Sequence, residues 1–354
     1  MNLTHDDPAT FAAGTSEAGY RLLDGCSLLV TGGTGSFGSQ FLGKVLEHAN
    51  PARLIVFSRD ELKQFEMAQR LADHSKASCL RFFIGDVRDQ SRVEMALRDV
   101  DYVVHAAALK QVPTAEYNPF ECIHTNVLGA ENVVRAALRC GVKRVVALST
   151  DKAASPINLY GASKLASDKI FVAANNLSGS IGTRFSVVRY GNVVGSRGSV
   201  LPFFLKLVRD GAASLPITDT RMTRFSITID EGVAFVVSCL AELRGGEVFV
   251  PKIPSLNVVD LAQAVAPHLP QRVVGIRPGE KLHEVMITED DARTTVEFDD
   301  RYVICPAFKF WDDSERPDYG TRAVPQDFRY ASNTNIQWLS IDHLKALVAR
   351  YVLP

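Results

Sequence analysis

The stretch SLLVTGGTGSFG, residues 27–38, decides the fold of this chain. A short apolar strand, Ser27–Val30, is followed by Gly32, Gly35 and Gly38, and then by the helical pattern SQFLGKVLEHA. Glycines at these positions permit a tight turn, let the backbone approach a pyrophosphate and let the helix pack close to the strand. The same glycines could form a turn without a ligand, but the strand before them and the helix after them favour a dinucleotide-binding site.

Four more short apolar strands follow, separated by helical patterns. They cover residues 54–57, 82–84, 102–105 and 145–148. Strands that alternate with helices indicate an α/β fold, a Rossmann-type doubly wound parallel sheet. Ligands of such sheets bind beyond the carboxyl ends of the strands. The candidate motifs in this half of the chain come directly after strands, which supports one common site.

Composition limits the classes of function. The chain has 354 residues, of which 46% are hydrophobic and 22% charged, as in ordinary globular proteins. Its 39 basic and 40 acidic residues give a net charge of -1, so no basic excess favours nucleic acid. The six cysteines are scattered and form no metal-binding pattern. No apolar run approaches the roughly 18 residues of a membrane span. We therefore expect a cytoplasmic protein without a metal, a nucleic-acid partner or a membrane partner.

The residues after the second strand bear on which dinucleotide is bound. An acidic residue there would bond the ribose 2′-hydroxyl and favour NAD, whereas arginine accommodates a 2′-phosphate. Here Ser58, Arg59 and Lys63 surround Asp60. This pattern favours NADP, and Asp60 keeps NAD as the alternative.

Other strand ends complete the expected cofactor site. Asp86 and Val87 suit a contact with adenine, although an Asx turn or a helix cap would explain Asp86 equally well. Residues 106–110 should pass the nicotinamide, with Lys110 within reach of either ligand. The residues expected to contact the cofactor are Gly32, Thr34, Gly35, Ser36, Phe37, Gly38, Ser58, Arg59, Asp60, Lys63, Asp86, Val87, Ala106, Lys110, Thr125, Tyr160, Lys164 and Val193.

The chain is expected to divide into three parts. Residues 1–20 lack the basic start and apolar core of a signal peptide and are expected to form a flexible arm. Residues 21–198 are expected to form the NADP-binding Rossmann domain, which includes the catalytic residues. Residues 199–354, where prolines interrupt shorter elements, are expected to be mainly a smaller substrate-binding region, with some segments returning to the Rossmann sheet.

The segment LSTDKAASPINLYGASK, residues 148–164, concentrates proton-transfer groups. Tyr160 and Lys164 are four residues apart and so lie on one face of a helix. A nearby ammonium lowers the pKa of a phenol and makes it a usable base. A YxxxK pair alone is usually a chance surface pair, but its place after a Rossmann half favours catalysis. Asp151 and Lys152 would add an acid and a base, unless they form a solvated charged pair.

These motifs, with HAAALKQVPTAEYNPFECIHTN, VRYGNVVGSRGSV and IRPGEKLHEVM, resemble the nucleotide-sugar branch of the extended short-chain dehydrogenase/reductase family. Over about residues 25–345 the chain is similar to the inverting UDP-N-acetylglucosamine 4,6-dehydratase subfamily, which begins pseudaminic acid biosynthesis. Retaining dehydratases of this branch carry Asp-Glu where this chain has Asp151-Lys152, and simple 4-epimerases lack the acid. Some related dehydratases have Met in place of Tyr160.

The resemblance implies a lyase reaction that needs several proton transfers. NADP takes a hydride from C4 of UDP-N-acetylglucosamine, a base removes the C5 proton, and an acid assists departure of the C6 hydroxyl. The hydride then returns to C6, and protonation of C5 from the opposite face inverts that carbon. The resemblance implies Tyr160 as base at C4, oriented by Thr150 and Lys164, with Lys152 as the C5 base and Asp151 as the acid. The roles of the last two could also be exchanged.

A UDP-sugar carries a diphosphate, which a chain of net charge -1 must bind with individual cations. Arg197 and Arg277 suit this because a guanidinium can bind phosphate in a bidentate way. Arg221 and Arg224 could add contacts or form salt bridges instead. The expected substrate-binding residues are Lys110, Asn192, Arg197, Arg224, Arg277 and Glu280, the last of which could alternatively begin a helix.

Glu284 could bond a ribose hydroxyl, whereas His105 and His283 are expected to be packing residues. Two other functions stay open: a UDP-sugar 4-epimerase or retaining dehydratase, and a non-catalytic NADP-sensing protein. Loss of Tyr160, Lys164 or the Asp-Lys pair would indicate the sensor, and all are present. The resemblance also implies a homo-oligomer built from dimers, with a hexamer as one form.

Overall fold

The computed structural model describes residues 14–196, 198–308 and 322–352. The strands are β1 (Ser27–Thr31), β2 (Arg53–Ser58), β3 (Leu80–Ile84), β4 (Tyr102–His105), β5 (Arg144–Thr150), β6 (Arg184–Tyr190), β7 (Asn192–Val193), β8 (Leu215–Ile217), β9 (Thr223–Ile227), β10 (Val248–Pro251), β11 (Ser255–Asn257), β12 (Gln271–Val273), β13 (Val285–Ile287), β14 (Thr295–Glu297), β15 (Arg301–Ile304), β16 (Arg322–Ala323) and β17 (Tyr330–Ala331).

The α-helices are α1 (Gly14–Arg21), α2 (Ser36–His48), α3 (Glu61–Arg70), α4 (Gln90–Ala96), α5 (Val112–Tyr117), α6 (Pro119–Ile123), α7 (Gly129–Cys140), α8 (Leu159–Ala173), α9 (Val200–Arg209), α10 (Ile229–Glu242), α11 (Val258–Val265), α12 (Glu289–Ala292) and α13 (Ile341–Val352). A π-helical turn covers His124–Leu128, and short 3-10 turns cover Ala77–Cys79, Asp151–Ala153, Ala174–Leu177 and Gly179–Ile181.

The central sheet has ten strands in the order β16-β14-β15-β10-β6-β5-β4-β1-β2-β3. The seven strands from β10 to β3 pair in parallel, and β15, β14 and β16 extend the sheet antiparallel. The order of β1 to β6 is that of a doubly wound Rossmann sheet, in which the direction of strand addition reverses between β1 and β4. The predicted fold class is confirmed.

The parallel strands lie in the main core. All five residues of β1 are buried, as a strand covered by helices on both sides requires. Helix α2 presents Phe41, Leu42, Val45 and Leu46 to this core at the three- and four-residue spacing of one helical face. Together these contacts fix the glycine-rich turn between β1 and α2.

The C-terminal part of the chain forms a smaller unit against the carboxyl ends of the parallel strands. Strands β11, β9 and β7 form a small sheet, and β8 pairs with β12. Two apolar clusters hold this unit together, one around Phe204 and Met222 and one around Leu256 and Leu344. Its β10, β14, β15 and β16 belong to the central sheet.

The expected flexible arm over residues 1–20 needs correction in its last part. Gly14–Arg21 forms α1, and Tyr20 is only 3% exposed because it packs in the main core. The first thirteen residues lie outside the described part of the chain. The division into two further regions stays a prediction.

Two expected absences concern the described residues only. None of their helices combines the length and apolar character that crossing a bilayer needs. Within the described ranges, no cluster of three or more His, Cys, Asp or Glu side chains could hold a metal ion. The six cysteines are free thiols.

Candidate active site

A cavity of about 970 Å³ lies beyond the carboxyl ends of β1, β2, β4, β5 and β6 and extends to the C-terminal unit. This is the place where doubly wound sheets bind ligands. Every residue expected to contact the cofactor lines it: Gly32, Thr34, Gly35, Ser36, Phe37, Gly38, Ser58, Arg59, Asp60, Lys63, Asp86, Val87, Ala106, Lys110, Thr125, Tyr160, Lys164 and Val193. The roles of these residues stay predictions.

The substrate and catalytic candidates are also brought together. Lys110, Asn192, Arg224, Arg277 and Glu280 line the cavity, as do Thr150, Lys152, Tyr160 and Lys164. Arg197 lies outside the described residues. Asp151 does not line the cavity and is fully buried beneath Lys152.

The glycine-rich turn fits a dinucleotide. Gly32 has a φ of +67°, and a Cβ atom there would lie 3.0 Å from the backbone of Ala107. A Cβ atom on Gly38 would lie 2.5 Å from the Cα atom of Gly33. The close approach leaves the amino end of α2 open to the cavity, where free N–H groups and the helix dipole attract a phosphate. The first turn of α2 carries no acidic residue that would repel one.

The end of β2 is crowded with charges. Asp60 caps α3 by accepting a 3.0 Å hydrogen bond from the backbone nitrogen of Lys63, and it also pairs with the Lys63 ammonium. The Arg59 side chain is 53% exposed and lies 3.4 Å from Asp86. The negative charge of Asp60 is therefore offset by the Lys63 ammonium, and the Arg59 guanidinium belongs to the residue directly before Asp60.

Asp86 forms an Asx turn, the alternative that its sequence position allowed. Its Oδ1 accepts a 3.0 Å hydrogen bond from the backbone nitrogen of Arg88, and its Oδ2 accepts two from the guanidinium. Burial raises the pKa of Asp86, but the bonds from Arg88 outweigh it and leave the pKa lowered. An adenine contact by Asp86 stays a prediction.

Two buried side-chain amides, which the sequence did not single out, hold the cofactor side of the cavity in place. Gln64 donates 3.0 Å hydrogen bonds to Ser58 and to the Phe83 carbonyl, which ties β2 to β3. Asn126 exchanges two hydrogen bonds with the backbone of Leu109. For both Gln64 and Asn126, the signal in the sequence would have been a polar residue at a helical position that faces the protein interior.

Thr125 lies in the π-helical turn and lines the cavity. Its Oγ1 is buried and has no hydrogen-bond partner among the described residues. Buried polar atoms are nearly always paired, so an unpaired buried hydroxyl on a residue that lines the cavity is a candidate contact for a ligand. This observation, with the glycine-rich turn, makes the residues present suitable for a nicotinamide dinucleotide.

Tyr160 and Lys164 lie one turn apart at the start of α8, which Asn158 caps. Burial raises the pKa of Tyr160 to about 12, opposed by the charge of Lys152 and a hydrogen bond with Thr150. The effect of Lys164 on Tyr160, expected from the sequence, stays a prediction. Lys164 is only 3% exposed, and burial lowers its own pKa against the opposing charge of Asp168.

Lys152 is surrounded by three acceptors. Its Nζ lies 3.0 Å from Asp151 Oδ1, 3.3 Å from Asn192 Oδ1 and 3.4 Å from Glu284 Oε1. Thr150 also donates a 2.9 Å hydrogen bond to Asp151 Oδ1. Burial lowers the pKa of Lys152, but Asp151 and Glu284 together outweigh it and leave the pKa raised. The amine is therefore cationic in the protein without substrate, whereas the expected C5 base must be neutral when it acts.

Glu284 was considered for a ribose contact, but it lies at Lys152 instead. The residue is 2% exposed, and its carboxylate is 3.8 Å from both Arg224 and Lys281. Arg224 donates hydrogen bonds of 2.7 and 3.1 Å to two backbone carbonyls and still lines the cavity. Arg221 forms a surface pair with Asp219, the salt-bridge alternative.

The loop of residues 277–284 is fastened to the catalytic segment. Lys281 donates a 2.7 Å hydrogen bond to the Ala154 carbonyl, and Asn158 donates a 2.7 Å bond to the Gly279 carbonyl. Arg277 is 60% exposed at the cavity, 4.0 Å from Glu280. The loop therefore places cations beside the proton-transfer groups.

Both histidines have packing roles, as expected. His283 hydrogen-bonds Thr223 at 2.8 Å. His105 is 1% exposed, and its Nδ1 lies 2.9 Å from Thr31 Oγ1.

The fold and the site together define a Rossmann enzyme of the short-chain dehydrogenase/reductase type.

Comparison with known proteins narrows this class. Residues 28–306 match the family model described as "Polysaccharide biosynthesis protein". The chain is 53% identical over 334 residues to UDP-N-acetylglucosamine 4,6-dehydratase (inverting) of Campylobacter jejuni subsp. jejuni serotype O:23/36, covering 92% of this chain and 98% of that protein. It is 55% identical over 329 residues to the protein of the same name from serotype O:2, covering 91% and 97%. The chain belongs to the polysaccharide biosynthesis protein family and, within it, to the group of the inverting UDP-N-acetylglucosamine 4,6-dehydratases.

More distant relatives share the fold. A protein of Rickettsia canadensis named UDP-glucose 4-epimerase is 42% identical over 285 residues, which are 78% of this chain and 82% of that protein. The structure of Pen from Bacillus thuringiensis matches with a TM-score of 0.84 and 33% identity, covering 94% of this chain and 99% of that one. DesIV (dTDP-glucose 4,6-dehydratase) from Streptomyces venezuelae, with NAD and TYD bound, matches with a TM-score of 0.65 and 27% identity, covering 72% and 86%. The family expected from the sequence is confirmed.

Proposed function

We propose that the protein converts UDP-N-acetylglucosamine into UDP-2-acetamido-2,6-dideoxy-β-L-arabino-hexos-4-ulose, with NADP as cofactor, as the first step of pseudaminic acid biosynthesis. The observation that carries this proposal is the pair of buried Asp151 and partly exposed Lys152, which lies at the cavity that Tyr160 also lines. A 4-epimerase needs only the Tyr-Lys machinery. An elimination with inversion at C5 needs the additional acid and base.

The cofactor is placed by the residues of the glycine-rich turn and by Thr125. When bound, a nicotinamide cofactor supplies a hydride acceptor for C4 of the sugar and a hydride donor for C6. Arg59 favours NADP because it adds positive charge where a 2′-phosphate would lie, and Lys63 favours it because its ammonium offsets the charge of Asp60. Asp60 supports this choice, since its carboxylate is already engaged by Lys63.

Tyr160 is proposed to take the proton of the C4 hydroxyl. Its phenol is protonated in the protein without ligands because burial holds its pKa at about 12. The Lys152 ammonium stabilises the phenolate form, and Thr150 and Lys164 are proposed to orient the phenol. These groups lower the cost of the proton transfer without leaving a charged phenolate in the resting protein.

Lys152 and Asp151 are proposed to perform the elimination. A proton on Lys152 Nζ can move to Asp151 Oδ1, which lies 3.0 Å from that nitrogen. The transfer breaks an N–H bond, forms an O–H bond and leaves each of the two groups neutral. That single transfer gives a neutral amine for the C5 proton and a protonated acid for the C6 hydroxyl. Because burial disfavours two separate charges, exclusion of water by the bound sugar favours the uncharged pair.

Thr150 links the acid to the cavity. Asp151 is fully buried, whereas Thr150 lines the cavity and hydrogen-bonds Asp151 Oδ1 at 2.9 Å. We therefore propose that the Thr150 hydroxyl passes the proton from Asp151 to the departing C6 hydroxyl. After the C5 proton has moved to Lys152, the ion pair with Asp151 is restored.

The diphosphate is proposed to bind near the loop of residues 277–284. Arg277, Lys281 and Arg224 place three cations there, with Asn192 beside them and Arg197 as a further expected contact. Cations that are held by backbone carbonyls and loop contacts lose little freedom when a phosphate binds. The proposed enzyme is a cytoplasmic homo-oligomer built from dimers, which light scattering on the purified protein would test.

Mass spectrometry of the product distinguishes the functions that the relatives suggest. A dehydratase removes one water from UDP-N-acetylglucosamine, whereas a 4-epimerase leaves its mass unchanged. Purified protein with NADP and UDP-N-acetylglucosamine should therefore give a product lighter by one water. An unchanged mass with formation of UDP-N-acetylgalactosamine would favour the epimerase, and no turnover would favour the sensor.

A further inference from the structure

We propose that Glu284 is a positioning residue for the dehydration, which holds the Lys152 amine at the cavity wall and favours its uptake of a proton. The inference rests on the proposed function, in which Lys152 takes the C5 proton. It concerns a residue from a loop that is distant in sequence and that folding brings to the catalytic segment.

The first argument is the geometry around Lys152. An ammonium has three N–H groups. Acceptors lie within 3.4 Å in three directions, from Asp151, Asn192 and Glu284. Glu284 completes this set from a distant part of the chain, because it directly precedes β13, whereas Asp151 directly follows β5. Without it, the long side chain of Lys152 would have one fewer constraint on its rotation.

The second argument is the state of the Glu284 side chain. It is 2% exposed, and its Oε2 has no hydrogen-bond partner among the described residues. A buried carboxylate with a purely structural role would be expected to have hydrogen-bond partners for both of its oxygens. The nearest cation to its Oε1 is Lys152, at 3.4 Å, whereas Arg224 and Lys281 are 3.8 Å from the carboxylate. Its charge is therefore directed first toward the catalytic amine.

The third argument is the charge balance. The charged and titratable groups that face Lys152 are Asp151, Glu284, Arg224, Lys281 and Tyr160. As long as Asp151 carries the proton meant for the C6 hydroxyl, it is neutral and cannot be the counterion of Lys152. Glu284 is the remaining carboxylate beside the amine. It stabilises the ammonium that forms when the C5 proton arrives, which makes Lys152 a stronger base.

Glu284→Gln tests the proposal, with Glu289→Gln as the matched control on the exposed first turn of α12. Competitive labelling of amines with acetic anhydride, followed by peptide mass spectrometry, gives the pH at which Lys152 becomes reactive. In Glu284→Gln this midpoint should move to lower pH, while exposed Lys169 in the same sample should not change. An unchanged Lys152 midpoint would overturn the proposal. If Glu284→Gln does not fold, Glu284→Asp, which withdraws the carboxylate, should give a smaller shift in the same direction, and no shift would overturn it.

Kinetics give the second readout. Glu284→Gln should lower kcat by about tenfold with KM little changed, since a weaker base slows removal of the C5 proton. A kcat equal to that of the wild-type protein would overturn the proposal. If the wild-type protein forms no dehydrated product while the labelling shift of Lys152 is present, the proposed function fails and the contact between Glu284 and Lys152 stands.

Discussion

The amine of Lys152 lies 3.0 Å from a carboxylate oxygen of Asp151, a residue that exposes none of its surface. The two are neighbours in sequence at the carboxyl end of β5, so the strand end itself brings them to the cavity. One proton transfer between them turns a resting ion pair into an acid and a base.

Lys152→Ala should reduce dehydration by about 10²- to 10⁴-fold, the usual contribution of a general base. Binding of NADP should persist, because Lys152 is not among the residues expected to contact the cofactor. Product formation by mass spectrometry and NADP titration by fluorescence measure the two effects. Lys169→Ala, on the exposed face of α8, is the matched control and should keep full activity. Normal turnover by Lys152→Ala would refute the role of this amine.

Arg59→Ala should weaken NADP binding by at least about tenfold, because a hydrogen bond to a charged group is lost. Binding of NAD should change much less, since NAD has no 2′-phosphate. Isothermal titration with both cofactors measures the difference, and exposed Arg98→Ala provides the control. The same analysis applies to Ser58→Ala and Lys63→Ala. Equal losses for both cofactors would contradict the assignment of NADP.

Gly38→Ala should disrupt the turn that precedes α2, because its Cβ atom would lie 2.5 Å from Gly33. We expect lower thermal stability and loss of cofactor binding. Gly43 in the same helix has nothing within 4 Å of its Cβ position. Gly43→Ala should therefore stabilise the protein by about 0.5–1 kcal/mol. Thermal denaturation of both variants measures the contrast, and equal behaviour would refute the close packing.

His105 should make the protein less stable in mild acid. Burial and the charge of Lys164 lower its pKa to about 3, whereas an unfolded histidine titrates near 6.5. The unfolded chain therefore binds the proton first, so this contribution is complete above pH about 6.5 and is lost as pH falls toward 3. Between pH 7 and pH 5 the loss should be about 2 kcal/mol.

Urea denaturation at pH 7 and pH 5 measures this loss. Thr31 Oγ1 accepts hydrogen bonds from the backbone nitrogens of Ala106 and Ala107, so its own proton is donated to His105 Nδ1. His105→Gln should lower stability at pH 7 and remove most of the difference between the two pH values. Exposed His268→Gln should leave that difference intact. An undiminished difference in His105→Gln would exclude His105 as its source.

Much of the site was predictable because its residues follow strands. The apolar runs ending at Phe57 and Leu148 predicted β2 and β5, and the polar residues after them line the cavity. Chain order alone brings such strand ends together in a doubly wound sheet. Sequence reasoning therefore needed no knowledge of side-chain packing to group them.

The charge state of Lys152 and the place of Glu284 could not be predicted in this way. The place of Glu284, and its share in holding the charge of Lys152 beside that of Asp151, depend on the packing of residues 277–284 against the turn after β5, which no local pattern encodes. The helical state of Gly14–Arg21 was missed for a related reason, because Tyr20 is stabilised by contacts in the core and not by a strong helical pattern. Long-range burial decides these features.

The measurement that tests the central claim most directly is NMR spectroscopy of the product formed from UDP-N-acetylglucosamine in D₂O. The proposed function, in which Lys152 removes the C5 proton and C5 is protonated again from the opposite face after the hydride has returned to C6, predicts a 4-keto-6-deoxy sugar that carries deuterium at C5 and has the L-arabino configuration. Retention of configuration at C5, or recovery of UDP-N-acetylgalactosamine in place of the keto sugar, would contradict the claim.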